Sequence, residues 1–174
     1  MASTDRTVAI AEEIQAAELG GRLAGKYMTF KLGDEEYGLG ILRVREIIGL
    51  MDITRVPRTR EFIRGVINLR GKVIPVIDLR VKFGFPPQDY TERTCVVVVE
   101  VSMAAGKVMM GVIVDSVSEV INISADEIEN TPPFGDRVDT SYMRGVAKVK
   151  GTVKVLLDLD RVVENTKMGH AGAA

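Results

Sequence analysis

The chain has 174 residues, with 23 Lys and Arg set against 24 Asp and Glu for a formal net charge of −1. That length suits one ordinary domain or two small ones sharing a core, burying roughly 70% of the unfolded surface, and the charge balance announces no polyanion-binding role. A single cysteine, Cys95, excludes an intrachain disulfide and a multi-cysteine zinc site, while the single histidine, His170, sits in a Gly/Ala tail, away from any Ser-His-Asp or Cys-His centre.

No apolar run approaches the 18 or so residues of a membrane span, and no signal peptide is recognisable at the N-terminus. A soluble, cytoplasmic protein is expected. Val (24) and Ile (14) outnumber Leu (11), and there are 17 glycines. β-Branched residues favour a pleated sheet over a helix, so an all-β fold of short strands is predicted.

Residues 1–25 read as a mobile arm: Ala9 to Leu19 could form a frayed helix, ended by Gly20, Gly21 and Gly25. Met28, Phe30 and Leu32 alternate with Thr29 and Lys31, and Gly33-Asp-Glu-Glu36 turns the chain into a strand over Tyr37–Gly40. Ile41 to Ile48 is expected to continue extended. Val66–Leu69 and Val73–Ile77 flank Arg70-Gly71, a tight hairpin turn in which glycine supplies a positive φ. Cys95 to Met103 and Val108 to Val114 form a second hairpin, and the unalternating run Cys95–Val99 predicts a strand covered on both faces. Ser124-Ala-Asp-Glu127 has the capping-box pattern, Thr131–Gly135 reads as a loop, and residues 166–174 as a loose tail.

An internal repeat organises these elements. Phe62–Leu79 aligns with Tyr142–Leu159 at an offset of 80, with seven of eighteen positions identical, including both glycines and the closing Asp-Leu. Tyr37-Gly38…Val44-Arg-Glu46-Ile-Ile48 aligns with Met110-Gly111…Val117-Ser-Glu119-Val-Ile121 at an offset of 73. Two copies of one small β-barrel are expected, over residues 26–84 and 92–165, each ending in a short helix after Asp78 or Asp158. Gly65 and Gly145 recur after an arginine in both copies and are expected to hold a positive φ or a close backbone contact.

Catalytic constellations are missing. Gly38-Leu-Gly40 lacks the third glycine and following helix of a dinucleotide site. Asp34, Glu35 and Glu36 read as a solvated turn, Asp78 and Asp158 as helix caps, and Cys95 as a packed thiol. What remains is a basic cluster, Arg55, Arg58, Arg60, Arg64, Arg70 and Lys72, opposed only by Glu61. Base stacking in small-barrel nucleic-acid binders needs exposed aromatics, and this segment offers only Phe62. Recognition of an acidic or polar protein surface suits arginine better. A small-barrel nucleic-acid binder stays as the alternative.

Several stretches resemble the CheW family of bacterial chemotaxis coupling proteins: Phe30-Lys-Leu-Gly-Asp-Glu-Glu-Tyr-Gly38, Ile41–Ile47, Phe62-Ile-Arg-Gly-Val-Ile-Asn-Leu-Arg-Gly71, Val76–Arg80, Val112–Val120 and Ala125–Ile128. The likeness spans residues 27–164 and implies two SH3-like five-stranded barrels across a shared core. It further implies a non-catalytic adaptor without cofactor, metal, nucleic acid or membrane insertion. Its implied partners are the cytoplasmic tips of methyl-accepting chemoreceptors and the C-terminal regulatory domain of a CheA-type histidine kinase, at membrane-associated receptor arrays. Carried over residue by residue, Glu46 and Arg70 take positions tied to coupling, and Val44, Arg64 and Gly65 lie in the region that resembles the receptor-tip groove. Phe134 matches an aromatic of a second kinase contact, where Glu129 stands in place of a basic residue. Arg70 and Glu46 could instead pair with each other and only support the fold.

Overall fold

The computed structural model describes residues 25–86, 88–129 and 141–164. The expected arm and tail, the Thr131–Gly135 loop with Phe134, and His170 lie outside the described residues. In chain order the strands are β1 (Gly25–Leu32), β2 (Glu35–Gly40), β3 (Val44–Gly49), β4 (Ile63–Leu69), β5 (Lys72–Asp78), β6 (Cys95–Met103), β7 (Gly106–Val114), β8 (Ser116–Ile123), β9 (Ile128–Glu129), β10 (Met143–Val149) and β11 (Thr152–Leu157). Two short helices, α1 (Leu79–Lys82) and α2 (Leu159–Glu164), follow the two repeat hairpins. The extended stretch expected over Ile41–Ile48 is interrupted by a 3₁₀ turn at Ile41–Arg43, which buries Ile41 before β3 begins.

Two closed five-stranded barrels are not what forms. The strands make a six-stranded sheet in the order β8-β1-β2-β11-β10-β9 and a five-stranded sheet in the order β3-β6-β7-β5-β4, and both are open. The physical reason is an exchange of hairpins. The β1–β2 hairpin pairs antiparallel with β8 on one side and parallel with β11 on the other. The β6–β7 hairpin sits between β3 and β5 in the same way, again with one parallel ladder. Each sheet therefore takes strands from both halves of the chain. In the second sheet, β3 and β4 are linked through residues 50–62, whose pairing is a single bridge, Thr54 to Val66, rather than a closing ladder.

The sheets face each other across a central core that takes Met28, Phe30, Leu32 and Leu39 from one and Val97, Val99, Met110 and Val112 from the other, all fully buried. Each sheet also covers a smaller core on its other face, with Val96, Val98, Val76 and Ile113 in one and Tyr27, Ile123 and Leu156 in the other. The valine run of β6 thus meets apolar side chains on both faces, as its lack of alternation predicts. A chain of rings, Phe30, Tyr37, Phe83 and Tyr142, with centroids 5.7, 5.9 and 4.8 Å apart, ties β1 and β2 to the end of α1 and the start of β10.

The repeat extends to irregularities. On β3, Val44 faces Val99 and Glu46 faces Val98, leaving Arg45 as the extra residue of a β-bulge, and β8 carries the matching bulge at Ser118. The bulge in β8 interrupts its ladder with β1. The buried Thr29 hydroxyl fills that gap, donating to the Glu119 carbonyl at 3.0 Å and accepting from its N–H at 3.2 Å. Arg64 and Arg144 are the extra residues where β4 meets β5 and β10 meets β11.

Directly after each stands the repeated glycine. A Cβ on Gly65 (φ +138°) would lie 2.0 Å from the Thr54 carbonyl oxygen, and one on Gly145 would lie 2.8 Å from that of Glu129. Both glycines let a neighbouring chain close on a sheet edge, the close backbone contact expected from sequence. The caps behave as read. Asp78 accepts the Arg80 N–H at 3.0 Å, and Asp158 accepts the Arg161 N–H at 3.3 Å. The capping box is seen as the Ser124 N–H donating to Glu127 at 2.9 Å, which opens a 3₁₀ turn.

Candidate functional site

The β4–β5 turn puts both Arg70 (φ 51°) and Gly71 (φ 87°) in the left-handed region, the signature of a type I′ hairpin. Asn68 secures it by accepting the Gly71 N–H at 2.9 Å. Lys150 and Gly151 repeat the turn with φ of 53° and 77°. An arginine in that conformation carries a backbone penalty that glycine or asparagine would largely avoid. Its side chain leaves the turn and reaches the bulged strand β3. Nη1 donates to Glu46 Oε1 at 2.9 Å, and Nη2 donates to Oε2.

This two-point pair is open to solvent, with Arg70 side-chain exposure at 70% and Glu46 at 31%. The hydrogen bonds from Arg70, with its charge, hold the Glu46 carboxyl below the ordinary glutamate value, against a smaller opposing effect of burial. A bidentate arginine–carboxylate pair fixes both planes at once, so the two side chains hold one arrangement on this face.

The other sequence-derived residues are placed differently. Val44, two residues before Glu46, is 3% exposed and packs in the central core, so its side chain supports β3 from beneath. Gly65 is buried against Thr54. The bulge residue Arg64 turns toward Asp78, whose Oδ2 lies 3.5 Å from both Nε and Nη2. Asp78 also accepts the Tyr90 hydroxyl at 3.1 Å. Burial, and then the Asp78 charge, push the Tyr90 phenol up and keep it a donor. Phe134 lies outside the described residues, so the structure brings Glu46 together with Arg70, and Arg64 together with Gly65.

Some neighbouring charges were assigned no site role from the sequence. Arg45, the bulge residue, donates to Glu100, which Lys107 approaches at 3.7 Å, and the Arg45 hydrogen bond lowers the Glu100 carboxyl. Asp160 takes Arg43 at 2.8 Å and the Ser102 N–H at 2.9 Å, tying α2 to β6. Glu36, read as part of a solvated turn, instead pairs with the buried Lys154. Cys95 donates to the Arg93 carbonyl at 3.1 Å, and burial raises its thiol, which suits a packed group more than a nucleophile. Among the described residues no cluster of three His, Cys, Asp or Glu could hold a metal, and no helix is long and apolar enough to cross a membrane.

Two interlocked open sheets carrying an exposed two-point ion pair make this a two-sheet β module. Residues 26–167 match the family model of the CheW-like domain. The chain is 37% identical to the chemotaxis protein CheW of Klebsiella aerogenes, covering 87% of this chain and 90% of that one. It is 34% identical to CheW of Rhizobium meliloti over 82% and 88% of the two chains. The crystal structure of the scaffolding protein TtCheW from Thermoanaerobacter tengcongensis superposes with a TM-score of 0.72 at 39% identity, covering 82% of this chain and 94% of that one. The chain belongs to the CheW family. It is a non-catalytic chemotaxis adaptor that couples chemoreceptors to a CheA-type kinase.

Proposed function

We propose that the Glu46–Arg70 face is the part of this adaptor that transmits receptor state to the kinase. On this reading the groove beside Arg64 and Gly65 takes the cytoplasmic tip of a methyl-accepting receptor, in the cytoplasm beneath a receptor array. The C-terminal regulatory domain of the kinase contacts the same protein, with Phe134 in a second contact. Val44 acts from beneath, by holding β3 in place.

The observation that carries the reading is the exposed, two-point Arg70–Glu46 pair on a left-handed arginine. Exposed ion pairs add little to stability, so a backbone penalty accepted to place one points to work at the surface. Two faces of moderate strength on one adaptor gain avidity in an array while remaining switchable. The test is Arg70→Ala in a reconstituted receptor–adaptor–kinase assay, with thermal melting on the same sample. The melting temperature should stay within about 2 °C of the parent, while receptor control of the kinase is lost. Full control by the variant overturns the reading.

A further inference from the structure

The basic cluster that stands out in the sequence divides in the folded chain. Arg70 is engaged by Glu46, and Arg64 by Asp78. Arg55, Arg58 and Arg60 are exposed on the loop between β3 and β4, and none of the described carboxylates pairs with them. They border a cleft together with Val56 and Pro57, and a second cleft, lined by Ile53, Gln88, Asp89 and Tyr90, adjoins it through Arg55 and Arg64.

Two apolar groups stand open among these charges: Val56 is 41% exposed and Tyr90 40%. Arg58 holds a φ of 63°, a left-handed arginine on the loop itself. The buried Nε of Arg64 lies near Asp78 without a hydrogen bond, leaving an unsatisfied N–H beside the clefts. Arg70 lies six residues beyond Arg64, in the turn that closes β4, roughly 20 Å along an extended chain. The clefts thus lie at the other end of that strand from the Glu46–Arg70 pair.

From these features we infer that residues 53–60 and 88–90 form a docking surface for an acidic segment of another protein, one whose carboxylates flank an apolar side chain. Arginine and tyrosine around exposed apolar atoms are the composition of a protein-binding hot spot. Arg55, Arg58 and Arg60 supply bidentate donors for carboxylates, and Val56 and Tyr90 supply the apolar seat. Glu61 and Asp89 sit in the same linings. Those two carboxylates repel a continuous polyphosphate or an anionic lipid surface, and they leave room for a partner of mixed charge. The inference stands apart from the proposed coupling face.

The test uses the full chain and a short fluorescein-labelled peptide with glutamate pairs on either side of a leucine. Fluorescence anisotropy should show binding that weakens with added salt. Amide shift changes on titrating the unmodified chain should fall at residues 53–60 and 88–90. Reversing all three charges (Arg55→Glu, Arg58→Glu, Arg60→Glu) should weaken binding by about tenfold or more, with melting unchanged. Val56→Ser should weaken it by a few-fold, roughly what one lost apolar contact does, while Arg70→Ala should leave it intact. Absent binding, shifts confined to other surfaces, or indifference to the triple reversal overturns the inference. So does equal or tighter binding of oligothymidylate or phosphatidylserine vesicles through the same arginines.

Discussion

The pair Lys154–Glu36 joins β11 to β2 where those strands run parallel and the two residues stand opposite. Lys154 is 7% exposed at its side chain and Glu36 19%, so little water reaches either charge. On β11, Lys154 shares a face with Leu156, which is fully buried in the minor core of its sheet. The other half of the chain solves the same position without charge. At the repeat offsets of 80 and 73, Lys154 corresponds to Ile74 and Glu36 to Met109, both in the apolar minor core of the second sheet.

Removing one partner strands the other in a half-dry site. A fully buried orphan costs about 3–5 kcal/mol. The residual access of Glu36 to water reduces that, so Lys154→Met should destabilise the chain by about 2–3 kcal/mol, a drop of roughly 4–12 °C for a domain of this size. Copying the apolar pair from the other half, Glu36→Met with Lys154→Ile, should be neutral or stabilising by about 1–3 kcal/mol. The assay is guanidinium unfolding of the parent, both single variants and the double, read as a double-mutant cycle with m-values compared. A neutral Lys154→Met, or a double variant less stable than either single one, refutes the reasoning.

Alanine at Gly65 should destabilise more than alanine at Gly145, about 2–4 against 1–2 kcal/mol, because the new Cβ meets backbone oxygen at 2.0 Å rather than 2.8 Å and φ there is positive; equal small losses in chemical unfolding would contradict this. The Glu46 carboxyl, followed by NMR, should titrate below the ordinary glutamate range, and Arg70→Ala should return it there. Because its folded value is depressed, its contribution to stability is present above the unfolded value and is lost as pH falls through the folded one; titration at the ordinary value in the parent would remove the pair from solution.

Much of the local structure was legible in the residues. Alternation located β1, the valine run announced a strand covered twice, and the Asp-Leu pairs closing each repeat marked the two helix caps. The repeat itself survives in the strands, the I′ turns and all four bulges. The exchange of hairpins was not legible, because β2 satisfies the same alternation whether it pairs within its own half or with β11. Pairing partners are set by the central core, which no local pattern encodes. Glu36 looked like a turn residue for want of its partner, although the repeat held the signal: Ile74 becomes Lys154 where Met109 corresponds to Glu36. Of the candidate site, the importance of Arg70 and Glu46 came from resemblance. Their pairing with each other stood in the sequence only as an alternative, and the structure forms it as an exposed two-point contact.

The most direct measurement is a charge exchange, Glu46→Arg with Arg70→Glu, compared with the parent for melting and for receptor control of the kinase. The exchange keeps an arginine opposite a glutamate while reversing what a partner meets at each position. The account predicts a folded protein with near-parental melting and receptor control abolished. Parental control by the exchanged protein would show that the pair serves only the fold, and would contradict the account.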